Sequence, residues 1–261
     1  RKADSMNWKC LKNLGIGGDY FPEQSEIYVN EFLKNHGSSS IAEKGYGMTE
    51  NSSTAGVCLV GVNKTNSLGI PLPLNTYGIF ERGTDKELKY GEEGEICITG
   101  PTEMLGYLDN EEEECKVIKI HSDGKKWIHS EDVGIIDEDG FLFFKGRYKR
   151  LIPHGGFKLY PSYIEGVIMK HPDIDNCCVI SIPDKVYGAS PEAHVVIKKD
   201  SVSELKKLKE ELIKLCQDKL PSYSQPEDFI FEEDLPLTSV GKVDYKKVEK
   251  MRIKKLEEST K

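Results

Sequence analysis

The texture of the sequence changes at Gly146-Arg147-Tyr148-Lys149-Arg150, and that break limits the possible fold more than any other feature. Ahead of it, residues 22–35 predict a helix. Pro22 suits its first turn, Ile27, Val29, Phe32 and Leu33 supply an apolar face, and Gly37 can end it. Residues 94–99 alternate as a strand, and Val133–Asp137 with Phe141–Lys145 predict a hairpin closed by Glu138-Asp139-Gly140. Behind the break, Pro161–Lys170 predicts a helix stopped by Pro172, and Cys177–Ile182 and Ala193–Lys198 predict short strands. Residues 202–219 predict the clearest helix, with Leu205, Leu208, Leu212 and Leu215 at helical spacing, Ser201 and Glu204 spaced as a capping box, and Pro221 as a stop. The expectation is an α/β region over residues 1–148 that becomes β-rich, then a small α+β domain over 149–261, with the boundary near Tyr148–Arg150.

Composition excludes several classes of function. At 261 residues there is chain enough for two domains with ample core. A net charge of −8 argues against a general nucleic-acid binder, which would carry a basic face. Lys206, Lys207 and Lys209 read as a solvated helix face, and Glu111–Glu114 as loop charge rather than an acid/base pair. No apolar run approaches the ~18 residues of a membrane span. The seven cysteines show no zinc-like C-x-x-C spacing and read as core residues of a reduced, cytoplasmic protein. In that compartment the sequons at Asn51-Ser52-Ser53 and Asn63-Lys64-Thr65 are chance matches. The chain opens on Arg-Lys-Ala-Asp, neither a signal peptide nor an initiator Met, which suggests a piece of a longer protein.

Four short motifs carry candidate chemistry. In Lys44-Gly45-Tyr46-Gly47-Met48-Thr49-Glu50, a hydroxyl and a carboxylate stand side by side on a Gly-flanked turn. The hydroxyl can donate to a phosphate oxygen, and the carboxylate is the hard ligand that Mg²⁺ prefers; an isolated Thr-Glu pair would read only as a surface turn. The second motif is Gly94-Glu95-Ile96-Cys97-Ile98-Thr99-Gly100-Pro101, and the third is His129-Ser130-Glu131-Asp132 followed by Gly146-Arg147. Asp132 can accept from both hydroxyls of a ribose, whereas His129 reads as packing or a backbone contact. Last comes Ser239-Val240-Gly241-Lys242, a flexible point charge on a glycine-containing loop.

In this order the motifs resemble the second half of an adenylate-forming (AMP-binding) ligase, the superfamily of acyl-CoA synthetases and adenylation domains, over nearly the whole chain. The resemblance implies the end of the large N-terminal domain, an αβ layer and a β-rich subdomain, followed by a small mobile C-terminal domain hinged at Lys149. It implies that Thr49 contacts the α-phosphate, that Glu50 holds Mg²⁺, and that Tyr46, beside Gly47, lies against the adenine. Gly17-Gly18-Asp19 resembles the element lining the adenine and acyl pocket, and Asp132 and Arg147 the ribose contacts. Gly155-Gly156-Phe157-Lys158 resembles the strand lining the thiol tunnel, and Lys242 the lysine that bridges the carboxylate and α-phosphate.

The chain departs from the family at Glu131, where the usual residue is Gly, and at Pro153, where many relatives have Lys. The family's phosphate loop, rich in Gly, Ser and Thr, has no counterpart here. Gly37-Ser38-Ser39-Ser40 and Asn51-Ser52-Ser53-Thr54-Ala55-Gly56 read as plain loops, and the chain alone is expected to be inactive. The implied activity is ligation of a carboxylic acid to coenzyme A through an acyl-adenylate, using ATP and Mg²⁺. A carrier-protein thiol in place of coenzyme A, or a non-catalytic nucleotide-binding fragment, remain open.

Overall fold

The computed structural model describes residues 7–199, 201 and 204–259. The chain divides into two compact units, residues 1–148 and 149–261.

The first unit is built on two sheets. In one, β1 (Leu14–Ile16) runs parallel to β2 (Ala42–Met48), which continues antiparallel to β3 (Ser53–Val57) and β4 (Ile70–Pro71). The parallel β1–β2 pair is joined by helix α1 (Glu23–Asn35), since parallel neighbours need a crossover. Pro22 stands one residue ahead of that helix as its N-cap, and Gly37 follows its end with φ +78°. A buried ion pair, Lys44 Nζ to Glu26 at 2.6 Å, ties α1 to β2.

The second sheet has the order β5 (Thr76–Phe80), β6 (Gly94–Thr99), β8 (Lys126–Ile136), β7 (Ile118–Ile120), with β9 (Leu142–Arg147) also on β8. The short helix α2 (Glu111–Val117) leads into β7. Strand β6 is buried at every position rather than on alternate ones, because it lies between β5 and β8 with both faces covered. Tyr46 and Ala55 of the first sheet share a core with Tyr77, Ile79, Ile96, Ile98, Ile128 and Leu142 of the second.

The second unit has one sheet of order β11 (Phe157–Leu159), β10 (Ile152–His154), β13 (Gly188–Ile197), β12 (Ile174–Asp184), with β14 (Phe229–Glu232) parallel to β13. The segments that the sequence marks as short strands are the centres of β12 and β13, which extend to 11 and 10 residues. Both faces of β12 are buried, in alternation. Cys177 and Val179 join one core with α3 (Pro161–Ile168) and α4 (Leu205–Lys219), whereas Cys178 and Ile180 join Val248 of α5 (Tyr245–Ser259) in another.

Helix α4 starts at Leu205, and its N-cap is Glu204 without a side-chain capping bond. The expected box from Ser201 is therefore not formed, and residues 202 and 203 lie outside the described residues. Leu208, Leu212 and Cys216 are its buried positions, while Leu205 is 53% exposed because it precedes the stretch that packs on α3. All seven cysteines carry free thiols, five of them buried. Among the described residues no helix is long and apolar enough to cross a membrane.

Candidate active site

The first unit contains a cavity of about 700 Å³ lined by two of the motifs, Gly15–Gly18 at the end of β1 and Gly45–Thr49 at the end of β2, together with Ser52–Thr54. Gly17, Gly18, Tyr46, Gly47 and Thr49 are thus brought together, as parallel strands ending side by side would place them. Asp19 lies just past the rim, where its Oδ1 accepts from the Tyr20 amide. Strands β2 and β3 close on each other so tightly at Gly47 that a Cβ there would collide with the Ser53 backbone. Residues 51–56 are not a plain loop. Asn51 is fully buried and accepts the Met48 amide at 2.7 Å, and Ser53 opens β3. Ser52 and Ser53 both have positive φ, 60° and 121°, so the turn carrying Thr49 and Glu50 stores local backbone strain.

The Asp132 carboxylate is held from two sides. Tyr46 donates its phenol to Oδ2 at 2.9 Å, and Arg147 Nε donates to Oδ1 at 2.8 Å. The β8–β9 register sets Asp132 directly opposite Arg147, and a one-residue shift between Val133 and Gly134 aligns them, since the register nearer the turn would put Gly146 there. Burial pushes the Asp132 carboxyl above the ordinary aspartate range; the Arg147 charge and the Tyr46 hydrogen bond offset part of that rise. Burial, followed by the charge of Asp132, pushes the Tyr46 phenol well up, so it stays protonated as a donor.

The turn bearing Asp132 rests on Glu95. Glu95 Oε1 accepts the Glu131 amide at 3.1 Å, and its Oε2 accepts from His129 Nδ1 at 3.0 Å and from the Gly83 amide at 3.3 Å. Burial raises the Glu95 carboxyl, but these hydrogen bonds outweigh it, and the group titrates below the usual glutamate range. His129 is therefore a charge-assisted brace rather than packing alone. Its Nε2 meets Nε2 of His121 at 2.9 Å, so one ring donates there and the other accepts. Donor atoms of Glu95, Cys97 and His129 lie within 4.8 Å of one another. However, burial drives the Cys97 thiol far up and Glu95 engages His129 Nδ1, so the cluster is satisfied as a hydrogen-bonded support.

Glu131 adopts φ +57°, the left-handed conformation that glycine takes without strain. The tight turn forms despite the Cβ. Ser130 helps to hold it, donating to the Ile96 carbonyl at 2.6 Å and accepting the Asp132 amide at 3.0 Å.

In the second unit, Gly155 and Gly156 (φ +54° and +88°) form the two-residue turn between β10 and β11. They are not interior strand positions as expected, and Phe157 opens β11, where its ring stacks on Tyr223 at 4.1 Å. Lys149 sits in a single helical turn at the junction, residues 148–150. Lys242 is exposed on a turn closed by the Leu237–Val243 bridge, with Thr238 bonded to both the carbonyl and the amide of Lys242.

Two contributors escaped the sequence reading, Tyr107 and Glu95. Tyr107 donates to Glu50 Oε1 at 2.5 Å from a stretch with no periodic signal. Glu95 was visible only as one letter of a strand motif.

Two outcomes follow for this turn. Glu131→Gly is expected to stabilise the chain by about 1 kcal/mol, the cost of a left-handed L residue. Urea unfolding reads this directly, and a lowered midpoint would show that the Glu131 side chain contributes more than its backbone strain costs. Asp132 has a folded pKa above its unfolded one, so its contribution is full below the unfolded value and is lost as pH rises through the folded value. The stability of the wild type relative to Asp132→Asn should therefore fall as pH rises across the upper carboxylate range. A flat difference from acid to neutral pH would contradict the raised pKa.

Comparison with known proteins identifies the family. One family model, the AMP-binding enzyme, matches residues 7–108, and another, the AMP-binding enzyme C-terminal domain, matches residues 163–242. A probable 4-coumarate–CoA ligase 2 from Dictyostelium discoideum is 33% identical over 243 residues, covering 92% of this chain and 42% of that protein. A long-chain-fatty-acid–CoA ligase from Escherichia coli O157:H7 is 32% identical over 201 residues, covering 77% of this chain and 34% of that protein. Among solved structures, the o-succinylbenzoate-CoA synthetase of Bacillus subtilis with its acyl-adenylate intermediate superposes with a TM-score of 0.78 at 28% identity, covering 91% of this chain and 46% of that one. The same enzyme with ATP and magnesium ion gives 0.77 at 27% identity, covering 93% and 47%. The chain thus spans less than half the length of these relatives. With one family model on each of its compact units, it belongs to the AMP-binding, adenylate-forming enzyme family.

Proposed function

We propose that the protein activates a carboxylic acid with ATP to an acyl-adenylate, releasing pyrophosphate, and then transfers the acyl group to the thiol of coenzyme A, releasing AMP. The observation that carries this reading is the Asp132 carboxylate, held by Tyr46 and Arg147 in the unit that also contains the glycine-lined cavity. A braced, buried carboxylate of this kind is suited to accept the two hydroxyls of a ribose. The relatives named as CoA ligases, and the neighbour bound to its acyl-adenylate, support the same reading.

In this mechanism Thr49 donates to the α-phosphate and Tyr46 packs against the adenine. Glu50 fits a cation: among the described residues only Oε1 of its carboxylate is hydrogen-bonded, which leaves Oε2 for a hard metal. Mg²⁺ would supply charge neutralisation on the triphosphate. Lys242 places its ammonium on the acid and the α-phosphate during adenylation. Its exposure on a short turn suits a charge presented in only one of two half-reactions. The Gly155-Gly156 turn serves the thioester step, with Lys149 as the pivot between the two.

The test is pyrophosphate release by the enzyme expressed from its complete gene, against a panel of carboxylic acids with and without coenzyme A. Acyl-CoA and AMP as products support the ligase. Coenzyme-independent release with retained adenylate would instead assign a carrier-protein thiol. Lys242→Ala should slow adenylation by roughly 10²–10³ while sparing thioester formation from supplied acyl-adenylate. Equal loss in both half-reactions would remove Lys242 from this role.

A further inference from the structure

Glu50 is gripped by one short segment. Its backbone carbonyl accepts the Met104 amide at 2.8 Å, and its Oε1 accepts the Tyr107 phenol at 2.5 Å. Both partners come from the stretch between β6 and α2, which pairs with no strand among the described residues. Gly106 has φ +153° there, a conformation that favours glycine, so the backbone just ahead of Tyr107 is itself constrained.

We propose that Tyr107 is a positioning residue for the metal site: its phenol occupies Oε1 of Glu50, so that the carboxylate presents Oε2 alone to the divalent cation that accompanies the triphosphate. This rests on the assignment of Glu50 as metal ligand above. A carboxylate with both oxygens open can turn between one- and two-point coordination, whereas Mg²⁺ demands near-octahedral geometry with short bonds. A hydrogen bond that fixes the direction of one oxygen favours one-point coordination through the other. Outer partners of this kind are worth about 10–100-fold in metal affinity. Tyr107 touches neither the nucleotide nor the acid in this scheme; it acts through Glu50.

The test uses the enzyme expressed from its complete gene and Mn²⁺ as the probe. Mn²⁺ binding is followed by electron paramagnetic resonance in the presence of α,β-methylene-ATP, which cannot be cleaved between its α- and β-phosphates. Tyr107→Phe should weaken Mn²⁺ binding about 10-fold and leave the metal-free affinity for the nucleotide unchanged. Unchanged Mn²⁺ affinity overturns the proposal. Glu50→Gln separates the two assignments. If Glu50→Gln leaves Mn²⁺ binding intact, the metal-ligand reading of Glu50 is the one that fails. If it weakens binding and Tyr107→Phe does not, only the positioning role fails.

In the Glu50→Gln background, Tyr107→Phe should have no further effect. An equal loss in both backgrounds would mean that the phenol merely supports its loop. Should Tyr107→Phe not fold, 3-fluorotyrosine at position 107 gives a second reading. Its ¹⁹F resonance should shift when Mg²⁺ joins the nucleotide complex of the wild type and stay fixed in Glu50→Gln; no shift in the wild type overturns the proposal.

Discussion

The buried carboxylate of Asp132 is the constraint around which the first unit is arranged. It lies on β8 of the second sheet and takes one hydrogen bond from Tyr46 on β2 of the first, so the two sheets cannot slide without breaking it. An ionised carboxylate stripped of water is costly unless its oxygens are satisfied. Here Arg147 satisfies the other oxygen, and the hairpin register brings it there. The same contacts that make the burial tolerable also fix the direction of the carboxylate. Its elevated pKa is the residual cost of a group kept partly dry for use.

Support for that residue extends one layer outward. Glu95 receives the amide of Glu131 and the imidazole of His129, and His129 in turn meets His121. These groups are buried in a β-sheet otherwise rich in isoleucine. Their value is in holding a left-handed residue in place immediately before Asp132. Strain of this kind persists only where the surroundings over-determine the backbone. The turn after Thr49 follows the same logic: Asn51 anchors it and two serines with positive φ bear the distortion. Both candidate ligand-facing turns are thus strained, and both are pinned by a buried polar side chain.

Legibility differed between elements for identifiable reasons. Helix α4 and the β8–β9 hairpin were readable because their signals are local: leucines at helical spacing, and a turn triplet between alternating runs. The lengths of β12 and β13 were not, since both faces are covered and the polar ends carry no alternation. The Ser201 cap failed because Ser and Glu at the right spacing are only a weak local preference, and the helix begins where Leu208 can pack. The glycines at 155 and 156 read as strand from family resemblance, whereas positive φ at two successive residues belongs to a hairpin turn.

The sequence by itself determined the helices α1, α3 and α4, the β8–β9 hairpin, the break near residue 148 and the identity of the motif residues, because each is encoded within a few neighbouring positions; helix α2, whose Glu111–Glu114 read as loop charge, and helix α5 were not legible. Tertiary structure decided which of those residues meet. Tyr46 is 86 positions from Asp132, and Tyr107 is 57 from Glu50. No local propensity links such pairs. Only sheet packing and loop closure bring them within hydrogen-bonding distance, and burial then turns an ordinary Asp, Tyr or His into a group with a fixed direction and a shifted pKa.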